Sequence, residues 1–335
     1  MEVSPTERRM MARALTMAAQ SPMPPGPNPR VGCVVIDPLG RILGEGVHLG
    51  PGTPHAEVFA LAEAGSDSWG STAIVTMEPC RHHGRTPPCT QALIDAGVRR
   101  VVFAQLDPNP EAGGGAQELR AAGIDVVSGV FEAEAIELNR YWSGAMRRGR
   151  PFVTWKTAIT LDGKIAAADG SSRWISSGAA RLDAHRLRAR CDTIVVGSGT
   201  VEADDPELTV RDEAGRAIGT QPLRVILGTR ELPPDLKIFN HQAPTRRIRG
   251  HDPAAALAEL FESGSRHVML EGGPTVVAAF WRAGLIDEVV VYLAPMLLGA
   301  GLNVIADLGI DTIQDAARLE LRELSMVGEG AEANA

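Results

Sequence analysis

Aromatic residues are scarce in this 335-residue chain, at 4%, and only 2 of them are tyrosine. Too few rings are present to build the stacking ladder that a single nucleic-acid strand needs. Excess positive charge is absent as well. Lys and Arg number 33 against 41 Asp and Glu, a formal charge of −8, so no general attraction to phosphate backbones or anionic membranes is expected. Cysteine is confined to positions 33, 80, 89 and 191, too few and too scattered for a disulfide framework, which points some of them to metal or catalytic use. No apolar run approaches the roughly 18 residues of a membrane span, and the opening Met1-Glu2-Val3-Ser4-Pro5-Thr6-Glu7 holds no apolar signal segment. A soluble cytoplasmic protein is expected. Apolar residues are plentiful at 44%, enough for ordinary cores, and a length of 335 suggests two domains at about 150 residues each.

Ser4-Pro5-Thr6-Glu7 has the form of a capping box, so a first helix is expected to about Gln20. The proline-rich stretch from Ser21 to Arg30 cannot continue it. Strands are expected at Val31 to Asp37, Arg41 to His48, Ala73 to Met77, Arg99 to Ala104 and Ile124 to Val127. Helices are expected after Pro54 and from near Pro87, Gly115 and Phe131, the last running to the basic cluster Arg147-Arg148-Gly149-Arg150-Pro151. That breaker and charge step place a domain boundary near 148, giving domains 1–148 and 149–328. The second half again alternates. Strands are expected at Phe152 to Ala158, Asp192 to Gly197, Leu223 to Leu227, His267 to Leu270 and Glu288 to Leu293, with helices near 178–190, 253–263 and 275–284. The small polar end, 329–335, reads as a disordered tail.

His55-Ala56-Glu57 opens a predicted helix, Glu78-Pro79-Cys80 follows a predicted strand, and Cys89 opens another helix behind Pro87-Pro88. One imidazole and two thiolates make three zinc ligands, which leaves the fourth tetrahedral position for water, the arrangement of a catalytic site. Helix N-termini favour the thiolate form of a ligand. Residues two apart do not share a helix face, so His55 must sit at the helix entry if Glu57 is to reach the same water. Glu57 is then a proton carrier and not a ligand. Cys33 and Cys191 read as core thiols.

The pattern resembles the zinc-dependent nucleobase deaminases, with Arg81 to Pro88 between the cysteines where the general motif has only two residues. That longer insert, Glu78-Pro79-Cys80-Arg81-His82-His83-Gly84-Arg85-Thr86-Pro87-Pro88-Cys89, resembles the deaminase half of the bifunctional riboflavin biosynthesis deaminase/reductases. Asn28-Pro29-Arg30-Val31-Gly32, Gly44-Glu45-Gly46-Val47-His48 and Asp107-Pro108-Asn109-Pro110 share the resemblance. Arg81 stands where that family usually has serine. The resemblance implies an N-terminal cytidine deaminase-like three-layer α/β domain in which Asn28, His48, His82 and Arg85 contact an aminopyrimidine bearing a ribosyl phosphate.

In the second half, Gly197-Ser198-Gly199-Thr200-Val201-Glu202 begins like a dinucleotide fingerprint but has Glu202 in place of its third glycine. Glu271-Gly272-Gly273-Pro274-Thr275 ends a strand and starts a helix, a place where exposed N–H groups can hold a pyrophosphate. Lys156 to Lys164, Arg173 to Ser177 and Gly199 to Arg211 resemble the reductase half of the same family, which implies a dihydrofolate reductase-like α/β domain using NADPH. By that resemblance Ala158, Trp174, Thr200, Asp204, Gly273, Pro274 and Thr275 contact NADPH, while Lys156, Ser172, Arg188, Leu208, Arg211 and Glu271 face the sugar phosphate. The resemblance is weakest from Glu213 to Gly264, where Gly228 replaces a commonly acidic residue and Arg246-Arg247 stand where small polar residues are usual. The family implies zinc-dependent deamination of a diaminopyrimidinone ribosyl phosphate, followed by reduction of its ribosyl group to ribityl. A homo-oligomer, such as a dimer, is expected, with neither nucleic-acid nor membrane partners. An oligonucleotide base deaminase, or a ligand-binding protein with an inactive second domain, are the alternatives that ammonia release and NADPH oxidation separate.

Overall fold

Ser4 starts the first helix in the way its spacing predicts. Its hydroxyl accepts from the Glu7 N–H at 3.2 Å, and the Glu7 carboxylate accepts from the Ser4 N–H at 2.7 Å, so two orphan donors are satisfied at once. The computed structural model describes residues 2–82 and 87–328, and the chain divides between Gly149 and Arg150 into two units. In the first, α1 (Pro5–Gln20), β1 (Gly32–Ile36), β2 (Ile42–Val47), α2 (Ala56–Ala64), β3 (Thr72–Met77), α3 (Cys89–Asp95), β4 (Arg100–Gln105), α4 (Gly115–Ala121), β5 (Asp125–Val127), α5 (Glu132–Leu138) and α6 (Arg140–Arg148) follow in order. The sheet runs β2-β1-β3-β4-β5, antiparallel through β1 and parallel from β3 onward.

Every residue of β1 is buried, so at this strand neither face of the sheet meets water. Alternation sends Cys33 and Val35 into a core with Ala56, Ala60, Leu93 and Leu119, and Val34 and Ile36 into a second core with Met10, Met11, Ala14 and Ala135. Helices therefore cover both faces, the three-layer arrangement expected. Close packing of α2 depends on glycine in β2. A side chain at Gly44 would meet the Ala60 carbonyl at 2.1 Å, and one at Gly46 the Ala56 carbonyl at 2.1 Å.

The second unit comprises β6 (Phe152–Thr160), β7 (Lys164–Ala166), α7 (Gly178–Arg188), β8 (Thr193–Gly197), α8 (Ser198–Asp204), β9 (Leu223–Leu227), β10 (Thr245–Ile248), α9 (Pro253–Glu262), β11 (His267–Leu270), α10 (Pro274–Arg282), β12 (Glu288–Ala294) and β13 (Leu302–Asn303). Its main sheet, β10-β9-β8-β11-β6-β12, is parallel at every junction, and β7 pairs separately with β13. Val195 and Val225 face one core, Ile194, Val196 and Ile226 the other. This is the α/β class expected of the second half.

The expected single helix from Phe131 to Arg148 is two helices. Asn139 breaks it at φ −110°, because its side-chain amide exchanges two hydrogen bonds, 2.8 and 2.9 Å, with the backbone of Arg30. The strand β10, with its polar Arg246-Arg247, was not expected, and neither were β7, β13 and α8. No helix among the described residues is long and apolar enough to cross a membrane. The tail expected at 329–335 lies outside the described residues.

Candidate active sites

The sequence places His55 one residue ahead of α2, and there it is the N-cap, with extended backbone at φ −73° and ψ 163°. Its ring stays off the helix cylinder, while Glu57, on the first turn, is 3% exposed. Cys89 is the first residue of α3, behind the rigid Pro87-Pro88 entry, and Cys80 lies on the loop after β3, fixed by Thr90 N–H donating to its carbonyl at 3.2 Å. His55 Nδ1 lies 3.1 Å from Cys89 Sγ and 3.5 Å from Cys80 Sγ. All three donor atoms fall within 4.8 Å of one another. Tetrahedral zinc bonds of about 2.0–2.3 Å place neighbouring donors about 3.5 Å apart, so the set fits zinc.

Electrostatics point the same way. Cys80 is held down to about 4, chiefly by the thiol hydrogen of Cys89 and also by His55, so a thiolate is already favoured there. Holding that hydrogen pushes Cys89 upward, and a divalent cation would displace it. Burial, followed by the neighbouring Cys80 charge, raises Glu57 to about 7. A carboxyl balanced near neutrality can both take and return a proton.

Asn28 and His48 stand together beside this cluster. The Pro54 carbonyl, 3.1 Å from His48 Nδ1, can only accept, so that nitrogen carries the ring hydrogen. Nε2 is then an acceptor and takes a hydrogen bond from Asn28 Nδ2 at 2.9 Å, which leaves the Asn28 carbonyl oxygen for a ligand. Burial lowers the basicity of His48. The His48 and His55 rings are 5.2 Å apart, edge to face. His82 is half-buried, with Nδ1 out of contact with solvent and without a hydrogen-bond partner among the described residues. Arg85 lies outside the described residues. Two carboxylates given no role from sequence frame the site. Glu78 accepts from Ala116 N–H at 2.9 Å and Asp107 N–H at 3.2 Å, and burial raises Asp107 to about 6.

In the second unit a cavity of about 740 Å³ is lined by Lys156, Ala158, Trp174, His185, Arg188 and Arg211, among others. Arg188 binds Glu271 through two hydrogen bonds, 2.6 and 2.9 Å, and Lys156 Nζ lies 3.6 Å from the same carboxylate. Burial opposes the charge on Glu271, but Arg188 and then Lys156 outweigh it and hold the group near 2. Arg181 stacks on the Trp174 ring, 4.3 Å from its centre. His185 and Tyr292 also face the cavity and were not singled out from sequence. Tyr292 donates to Asp183 at 2.8 Å.

Ser172, Leu208 and Asp204 do not line the cavity. Leu208 is packed in the core with Val201 and Ile226, and the Asp204 carbonyl accepts from Arg173 at 2.6 Å. Thr200, Gly273, Pro274 and Thr275 form a separate group. Gly273 N–H donates to Thr200 Oγ1 at 3.1 Å, and a side chain on Gly273 would meet that oxygen at 3.0 Å. Pro274 then begins α10, whose first N–H groups lack intrahelical partners. A glycine-lined approach to free N–H donors suits the pyrophosphate of a dinucleotide.

A family model described as the cytidine and deoxycytidylate deaminase zinc-binding region matches residues 4–105, and one described as the RibD C-terminal domain matches 151–332. The chain is 50% identical over 303 residues to the riboflavin biosynthesis protein RibD of Mycobacterium tuberculosis, covering 90% of this chain and 89% of that one. It is 41% identical over 352 residues to RibD of Escherichia coli, covering 95% and 96%. A solved structure of Acinetobacter baumannii RibD is similar with a TM-score of 0.86 at 37% identity, covering 96% of both chains. The deaminase/reductase from Thermotoga maritima is similar with a TM-score of 0.82 at 33% identity, again over 96% of both.

Proposed function

This chain belongs to the RibD family of bifunctional deaminase/reductases of riboflavin biosynthesis, and we infer that its two reactions take place at the two residue clusters just described. It is an enzyme with a zinc-dependent deaminase domain and an NADPH-dependent reductase domain. The deaminase removes the 2-amino group of a diaminopyrimidinone ribosyl phosphate, and the reductase converts the ribosyl chain of the product to ribityl. We assign the first reaction to 1–148 and the second to 149–328.

His55, Cys80 and Cys89 would hold the zinc, whose chemistry, when bound, is to make water nucleophilic at neutral pH. Glu57 would take one proton from the attacking water and pass it to a ring nitrogen, then take the second from the added hydroxyl and pass it to the departing amine, which leaves as ammonia while the carbonyl forms. Asn28, His48 and His82 hold the pyrimidine edge, and Arg85 its phosphate. Convergence of His55, Cys80 and Cys89 around a buried Glu57 is the observation that carries this reading.

NADPH supplies a hydride, so the second site has to orient two ligands and provide a proton. Thr200, Asp204 and Gly273 to Thr275 serve the cofactor, with Ala158 and Trp174 at its nicotinamide end. Arg188, Arg211 and Glu271 serve the sugar phosphate, and Ser172 and Leu208, which do not line the cavity, are not assigned to it. The Lys156 ammonium, on the cavity wall, can supply that proton.

A homodimer is our further reading of the second unit. Val291 (47% exposed) and Leu293 (59%) lie on the edge strand β12, and Leu319, Leu321, Leu324 and Met326 are also uncovered, more apolar surface than a lone subunit leaves in water without a use. Four free cysteines suit a reducing, cytoplasmic setting.

Anaerobic incubation with the pyrimidine phosphate, zinc and NADPH, following ammonia and nicotinamide absorbance separately, tests the assignment. Glu57→Gln should abolish ammonia release yet oxidise NADPH when given the deaminated intermediate. Arg188→Met should do the reverse. Loss of both activities in either variant, with folding intact, would sink the division of labour.

A further inference from the structure

Tyr292 faces the cavity of the second unit, yet neither reaction above has called on it. In the register of β12 it stands opposite Ala158 of β6, and Val290, two residues before it, stands opposite Lys156. Side chains two apart in a strand share a face, so these four lie together on one side of the sheet. The Tyr292 ring is buried there against Ala180 and Ala184 of α7. Its hydroxyl donates to Asp183 of the same helix at 2.8 Å, so the ring is tied down at its far end. Burial first, and then Asp183, push that hydroxyl far above the ordinary tyrosine range, and its hydrogen stays in the bond to Asp183.

Lys156 Nζ lies over that ring, 5.7 Å from its centre, within the range in which an ammonium is drawn to an aromatic face. It also lies 3.6 Å from Glu271, but that carboxylate already accepts two hydrogen bonds from Arg188, at 2.6 and 2.9 Å. The ammonium is therefore attracted by a carboxylate and by a ring without donating a hydrogen bond to either. Lysine is a point charge on a flexible four-carbon stem, and attraction to Glu271 alone would let it swing about that carboxylate. The ring supplies the second point that fixes its place.

Reduction of ribosyl to ribityl adds a hydride to the sugar carbon bonded to nitrogen, breaks that carbon's bond to the ring oxygen, and passes the electron pair to the oxygen. One proton then completes the sugar hydroxyl, and it has to arrive from a fixed place. An ammonium held by charge alone keeps its N–H groups for the substrate, which a lysine hydrogen-bonded into an ion pair would not.

We propose that Tyr292 is a positioning residue of the reductase, whose ring, anchored by Asp183, holds the Lys156 ammonium where it delivers a proton to the sugar oxygen. The proposal rests on the reading of Lys156 as the source of that proton. Because Tyr292 acts through Lys156, its loss should slow turnover and leave binding alone.

Steady-state NADPH oxidation by the full chain with the deaminated intermediate, beside calorimetric binding of NADPH without turnover, tests this. Tyr292→Leu should lower kcat about tenfold or more, with KM and NADPH affinity within about twofold of wild type and a larger solvent deuterium isotope effect on kcat. Tyr292→Phe, which keeps the ring, should hold kcat within about threefold of wild type. Asp183→Ala, a change on a helix surface, should lower kcat by about threefold at unchanged KM, and reads the anchor even where the leucine variant does not fold. In a Lys156→Met background, Tyr292→Leu should cost nothing further, because the group it positions is gone. Wild-type kcat in a folded Tyr292→Leu or in Asp183→Ala overturns the proposal, as does a phenylalanine variant as slow as the leucine one. A rise in KM in place of the fall in kcat, or an equal loss in the Lys156→Met background, overturns it while leaving Lys156 as the proton source. Wild-type kcat in Lys156→Met overturns both readings together.

Discussion

Arg188, at the end of α7, and Glu271, just past β11, meet in a two-pronged ion pair although 83 positions separate them. Both side chains are nearly buried, at 13% and 11% exposure. A charge left without its partner in such a place is costly. Glu271→Ala should therefore lower the stability of the reductase unit by about 3–5 kcal/mol, and Arg188→Met/Glu271→Met by clearly less. Equilibrium urea unfolding of the single and double variants checks this. A double variant no more stable than Glu271→Ala would mean that the pair is not what the site is built around.

Acid should weaken the same unit through His185. Burial first, then the fields of Arg188 and Arg211, press its ring down to about 4, against the pull of the Thr209 carbonyl and Glu271. An unfolded histidine takes up its proton near 6.5, so between those two values the unfolded chain binds a proton that the folded chain refuses. Stability from this source is complete above about pH 6.5 and falls as pH drops toward 4. The melting temperature of wild type should decline from pH 7 to pH 5 more steeply than that of His185→Gln. Equal slopes would remove His185 as the cause.

Gly46→Ala should damage the deaminase alone. The added methyl group would lie 2.1 Å from the Ala56 carbonyl, so α2 must shift, carrying His55 and Glu57 with it. A stability loss of about 1–3 kcal/mol is expected from such overpacking. Zinc per chain and ammonia release should both fall, while NADPH oxidation with the deaminated intermediate persists. Unchanged zinc binding would show that α2 need not sit so close to β2.

The grouping of His55, Cys80 and Cys89 was legible because the chemistry is written locally. A histidine one residue before a helix and a cysteine opening another are positions a sequence displays. The loop before α10 was legible for the same reason, as Gly272-Gly273-Pro274 is itself a strand end, close approach and helix start. What stayed hidden depends on contacts across the chain. Asn139 breaks a helix by bonding to Arg30, 109 positions away, and nothing near Asn139 announces that partner. His185 reads as one more polar residue of an amphipathic helix until Thr209, 24 positions on, is brought to its ring. The polar strand β10 shows no apolar alternation, because it lies at the sheet edge and pairs only with β9.

Zinc content of purified Glu57→Gln and Cys89→Ser, measured beside wild type together with ammonia release, tests most directly whether a metal is held by three side chains while a fourth carries the proton. The expected result is about one zinc per chain in wild type and in Glu57→Gln, little or none in Cys89→Ser, and deamination lowered at least a hundredfold in both variants. Full zinc occupancy in Cys89→Ser, or wild-type ammonia release from Glu57→Gln, would contradict it.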